Sequence, residues 1–299
     1  MIQRKLAVPF SVLLILTLAI GTSLQITMPT IPVYLRSLGL PLSALGFSAA
    51  IISLAALLSR PVAAWCIQRM SSLTTIIIGS GFYLAVFSIY LLFKDPMIVI
   101  TARILQGIGI GLVSTALGTL VTQLLPKEQL LGGMSLFTLA NAATGTLGAA
   151  WGMILIEGGA YPRLFFVGGA LVLVSLFLII FLGLSIRGHL HKVVHAKQVK
   201  VPFYKNPALK PAMIVLMLIM ANSSLINFLS FFAIQKGISS IGFFFLYGFV
   251  GLLLSRVFLS VMVRRLSLYK LYFINGLLYA LVFYGLTISS SVFIWTSLS

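Results

Sequence analysis

The chain has 299 residues, 60% of them hydrophobic and only 8% charged, with a formal net charge of +17 at pH 7. A mean hydropathy of +1.16 means that most of the folded surface must face something other than water, which excludes a soluble domain and leaves an all-α polytopic membrane protein. The basic excess would suit nucleic acid, but Lys and Arg are spread between apolar stretches rather than gathered in one patch, so no nucleic-acid partner is expected.

Apolar stretches of about 20 residues, the helical length of a hydrocarbon core, predict spans at Val8–Met28, Ser43–Cys66, Leu73–Phe93, Met97–Leu125, Leu131–Ile156 and Phe165–Ile186. Ala212–Ile234, Ile241–Val263 and Leu268–Ile288 follow, and a tenth begins at Val292. Arg4 and Lys5 before the first span resemble a signal-peptide start, but the apolar run is too long and leads straight into further spans, so it is retained as a helix. If the helices alternate, Arg4, Lys5, Arg69, Lys127, Arg187, Lys192, Lys197, Lys200, Lys205, Lys210, Arg264, Arg265 and Lys270 share one side, whereas Arg36, Lys94, Arg163 and Lys236 share the other. The basic side is the cytoplasm, which predicts a cytoplasmic (cell) membrane protein with its N-terminus inside.

The chain carries an internal repeat. Leu57-Leu58-Ser59-Arg60 with Arg69-Met70-Ser71 is matched by Leu253-Leu254-Ser255-Arg256 with Arg265-Leu266-Ser267, at an offset of 196 residues, and Gly46-Phe47 is answered by Gly242-Phe243. Such a period in apolar helices is the mark of a transporter built of two related halves. It predicts three regions: a six-helix half at 1–186, a basic linker at 187–210 and a second half at 211–299 with about three to four helices. The counterpart of Ile186 would fall well beyond Ser299, so the second half is expected to be incomplete.

The linker places His191 and His195 one helical turn apart, with His189 nearby. Interleaved Lys192 and Lys197 would repel a cation while suiting anionic lipid, so no metal is expected there. Cys66 is the only cysteine and no nucleophile–base constellation appears, so neither an enzyme nor a cofactor is predicted.

Polar side chains inside the spans are candidates for lining a substrate cavity: Gln25 with Thr22 in the first helix, Asn141 with Thr138 in the fifth, Asn222 and Asn227 in the seventh. Hydrogen bonding between helices uses the same residue types and stays open for each. Arg103 is the one charge well inside a span, and it is expected to face protein or water and to find neutral acceptors, with snorkelling of its long side chain to the outer surface as the alternative. Gly107 with Gly111, and Gly148 with Gly152, are one turn apart and predict close helix packing rather than a dinucleotide loop.

These residues resemble the major facilitator superfamily, most closely its bacterial drug- and metabolite-efflux branch. Arg103-Ile104-Leu105-Gln106-Gly107-Ile108-Gly109 is similar to the fourth-helix motif of that family; Pro29, Pro32, Tyr34 and Leu38-Gly39 are similar to the exit of its first helix. Ser59-Arg60-Pro61 with Gln68-Arg69 resembles the signature loop between its second and third helices. The resemblance implies a helical bundle that moves a small organic, amphipathic or drug-like molecule across the bilayer by alternating access. It also implies coupling or gating roles for Arg103, Gln106, Arg69 and Arg265. Two departures stand out: Gln68 replaces the usual aspartate of the signature loop, and none of Asp95, Glu128 and Glu157, the three acids of the chain, lies mid-membrane. A transport-inactive fragment and a membrane-embedded interaction or sensor protein are the other classes open at this point.

Overall fold

In the computed structural model the described residues are 4–186, 213–223, 229, 244–254 and 266–288, and no strand occurs among them. The chain divides into two compact units, Met1–Val193 and Val194–Ser299.

The first unit contains α1 (Arg4–Gln25), α2 (Thr27–Ser37), α3 (Leu42–Arg69), α4 (Ser72–Leu92), α5 (Pro96–Leu124), α6 (Lys127–Leu155) and α7 (Tyr161–Ser185). Five stretches are long and apolar enough to cross a membrane: Ala7–Ser37, Ser43–Arg69, Ser72–Leu92, Pro96–Leu124 and Tyr161–Ser185. α6 has the length, 29 residues, but its middle reads Leu139-Ala140-Asn141-Ala142-Ala143-Thr144-Gly145-Thr146, too polar to join them.

The first span corrects its predicted end. It runs past Met28 to Ser37, broken only at Ile26, because Pro29 falls in the first turn of α2, where a missing N–H breaks no helical bond. Hydroxyls stitch the break: Thr27 Oγ1 donates to the Leu24 carbonyl at 2.6 Å and Thr30 Oγ1 to the Ile26 carbonyl at 2.7 Å. Leu38-Gly39 then stops the helix, with Gly39 at φ 90° and the Leu40 N–H reaching back to the Leu35 carbonyl at 3.2 Å. At the other helix ends, Ser71 accepts from the Thr74 N–H, while Asp95 accepts from Met97 and Ile98 ahead of a proline at the first helical position.

α5 is the centre of this unit. Residues of its membrane span are 56% buried, against 22% for α3, and it packs between α3 and α4, while α1 packs on α6 and α7. Alternating glycines explain how α5 serves two neighbours. A Cβ at Gly107 would collide with the Ile52 carbonyl and Ala55, and one at Gly111 with Ser59 and Ala56, all on α3. Gly109, two residues along and hence on the opposite face, sits against Tyr83 and Gly79 of α4. The α1–α6 seam is made the same way, with Gly148 against Gln25 and Gly152 against the Ile26 backbone. Each close approach adds many small dispersion contacts, the main attraction available between helices in lipid.

In the second unit the described helical segments are α8 (Met213–Ser223), α9 (Phe244–Leu254) and α10 (Leu268–Ile288). The partners of the internal repeat, Gly242-Phe243 and Ser255 to Arg265, lie outside the described residues, as do the basic linker and its histidines.

Candidate functional site: a buried arginine in a neutral cluster

Arg103 lies seven residues into α5, about 10 Å from its start at 1.5 Å per residue. Its exposure is 0%, and it heads the largest fully buried side chains among the described residues. The guanidinium is held by neutral groups. Nε donates to Ser48 Oγ of α3 at 3.3 Å, and Nη1 donates to Gln106 Oε1, one turn along α5, at 3.3 Å. Nη2 is buried without an acceptor among the described residues.

Gln106 is the hub. Its Oε1 also accepts from the Tyr90 hydroxyl of α4 at 3.2 Å, and its Nε2 donates to Thr27 Oγ1 of α2 at 2.7 Å. The Thr27 hydroxyl proton is already given to the Leu24 carbonyl, so Thr27 Oγ1 must accept here. That fixes the amide with its oxygen toward Arg103 and its nitrogen toward α2. α2 at its break, α4 and α5 therefore converge on one amide, and α3 joins the cluster through Ser48, which holds Arg103.

The surroundings supply no negative charge. Asp95 caps α5, Glu128 is exposed in the first turn of α6, and Glu157 is exposed in the turn before α7, where Gly158 and Gly159 take positive φ. No ion pair to Arg103 exists among the described residues, so the full positive charge stands in a medium where charge is poorly solvated. Beside the cluster, aromatic rings run from Phe87 to Tyr90 (6.5 Å between centroids), Phe165 (5.2 Å), Tyr34 (5.3 Å) and Tyr161 (4.8 Å), linking α4, α7 and α2.

Gln25 is half-buried on α1 beside Gly145 and Gly148 of α6, its amide nitrogen 3.4 Å from where a Gly145 Cβ would stand. Asn141 and Thr138 are exposed along α6. In the second unit Asn222 Nδ2 donates to the Tyr279 hydroxyl of α10 at 2.8 Å, a helix–helix bond of the kind left open for it. Arg69 is exposed at the end of α3 with its Cζ 5.7 Å from the Trp65 ring centre. Where the resembled loop would carry an aspartate, Gln68 is exposed, and α4 is tied instead by a neutral bond from Ser72 Oγ to Gln123 Oε1 at 2.8 Å. Asn227 and Arg265 lie outside the described residues.

Residue-by-residue reading missed Ser48, Thr27 and Tyr90. Each was legible only as a single polar atom in an apolar run, and Ser, Thr and Tyr satisfy themselves locally so often that depth alone does not select them.

The Major Facilitator Superfamily model matches residues 13–299, nearly the whole chain, and the protein belongs to that family. It is a multi-pass membrane protein of the transporter type. Among solved structures, a bacterial homolog of the human lysosomal transporter Spinster, in an inward-facing, unoccupied conformation, matches 99% of this chain over 71% of its own length, with a TM-score of 0.69 at 13% identity. A bacterial homologue of the human drug peptide transporters PepT1 and PepT2 matches with TM-score 0.51 at 14% identity, covering 88% of this chain and 58% of the other. An auto-inhibited peptide transporter of the POT family gives 0.52 at 15%, covering 83% and 51%. At these identities the likeness is one of fold. No curated protein matches the chain by sequence.

Proposed function

We propose that the chain belongs to an alternating-access carrier of the drug- and metabolite-efflux kind, moving a small amphipathic organic molecule out across the cytoplasmic membrane with its N-terminus inside. The observation that carries this reading is α6. It is a membrane-length helix with Asn141 and Thr138 exposed on it and with glycines that leave room for Gln25 of α1. An amide facing lipid lacks the partners it needs, so this face suits a wet cavity where neutral polar groups orient a mainly apolar solute. In this reading Arg103 and Gln106 couple movements of α2, α3 and α4, and Arg69 and Arg265 act in the inner loops of the two halves. Asn222 and Asn227 are the candidates of the second half for meeting solute, and the basic linker at 187–210 rests on anionic lipid headgroups.

Cells producing the protein are expected to retain less of at least one member of a panel of fluorescent amphipathic dyes, spanning anionic, neutral and cationic forms, than cells producing a Gln25→Ala, Asn141→Ala double variant at equal membrane abundance. Equal retention of every dye in the two strains would sink the cavity assignment.

A further inference from the structure

The donors and acceptors around Arg103 do not balance. A guanidinium carries five N–H donors and an amide two. The cluster offers Arg103 only Ser48 Oγ and Gln106 Oε1, both at 3.3 Å, and Gln106 Oε1 is shared with the Tyr90 hydroxyl. Nη2 is fully buried with nothing to donate to among the described residues. The imbalance is also one of charge, because the whole sequence has three acids and all three sit at helix ends or in a turn. An arginine kept in such a place normally has a counter-charge, since burying it alone is among the costlier arrangements available to a membrane helix. The group that this guanidinium fits is an oxyanion, and none of the described residues supplies one beside it.

We infer that Arg103, with Ser48 and Gln106 beside it, binds a carboxylate borne on the transported molecule, a subsite that rests on the carrier reading above and narrows its substrates to organic anions. The fork of Nη1 and Nη2 matches the two oxygens of a carboxylate, and a low-dielectric setting strengthens the pair. Ser48 and Gln106 hold the guanidinium from α3 and from its own helix, leaving Nη2 for the ligand. Tyr90 and Thr27 do not touch the anion. They hold the amide of Gln106 in the orientation that keeps its nitrogen away from the guanidinium. Chloride shares the charge but not the two-oxygen geometry, so it distinguishes a substrate group from a free ion.

The test is thermal unfolding of the full chain in nanodiscs, in a buffer free of carboxylate and chloride, with benzoate and naphthoate as probes and benzamide and naphthamide as neutral matches. A carboxylate is expected to raise the melting midpoint by roughly 5 °C at about a hundred times its dissociation constant, with no rise for the amides or for chloride. Arg103→Met removes the charge without leaving a hole, so it should fold and lose the response; Arg103→Lys should keep only a fraction of it. Equal shifts in wild type and Arg103→Met, a chloride shift as large as the carboxylate shift, or no carboxylate shift at all would each overturn the inference. Because binding is read without flux, dye expulsion that persists alongside a negative result removes the anion subsite and leaves the carrier reading standing.

Discussion

Gly111→Ala lowers the melting midpoint of the protein, whereas Gly118→Ala, on the same helix, leaves it unchanged or raises it. Both substitutions gain the same helix propensity, about 1 kcal/mol relative to glycine. They differ in what the new methyl group meets. At Gly118 nothing lies within 4 Å. At Gly111 the methyl group would overlap Ser59 Oγ and stand 2.6 Å from the Ala56 carbonyl oxygen. Ser59 can rotate away at the loss of its 3.0 Å bond to that carbonyl, but the α3 backbone cannot. Forcing a methylene into a filled seam costs about 1–3 kcal/mol, and moving α3 off α5 would also disturb Gly107 and Ser48, so the net loss is expected near 2 kcal/mol. A Gly111→Ala protein that melts with Gly118→Ala would show that α3 and α5 do not meet as closely as described.

Gln106→Leu has an effect of comparable size through electrostatics instead of volume. It removes the acceptor shared by Arg103 and Tyr90 and the donor to Thr27 in one step. Orphaning a buried polar group costs about 1–3 kcal/mol, more when it is charged, and the guanidinium would be left with Ser48 alone. A loss of roughly 3 kcal/mol is therefore expected for the single variant. In an Arg103→Met background the same substitution should cost much less, since no charge remains to strand. Equal costs in the two backgrounds would mean that Arg103 and Gln106 do not interact.

Much of the fold was legible because membrane helices must satisfy their own backbone, so length and hydropathy mark them directly. The predicted Ser43–Cys66, Leu73–Phe93, Met97–Leu125, Leu131–Ile156 and Phe165–Ile186 each fall on one observed helix. The first span was misjudged at its end because proline reads as a stop, and only the position of Pro29 within the opening turn of α2 shows why it is not one. Arg103 stood out in sequence as a lone charge deep in a span. The rest of its cluster did not, since Ser48 reaches it from α3 while Thr27 and Tyr90 reach Gln106 from α2 and α4, and only packing shows that Gly107 and Gly111 let α3 come close and Gly109 lets α4 do so. The spacing of those glycines, two residues apart, carries the signal for two opposite faces, and reading Gly109 separately from its neighbours would have revealed the α4 contact.

The account turns on Arg103 being a positioned guanidinium that serves transport rather than a charge tolerated in place. The most direct measurement is the rate of solute movement per protein molecule in wild type, Arg103→Lys and Arg103→Ala, each normalised to its abundance in the membrane. Lysine keeps the charge but loses the planar fork that reaches Ser48 and Gln106 together. The account predicts transport near background in both variants; wild-type rates in both would contradict it and reduce Arg103 to a buried structural residue.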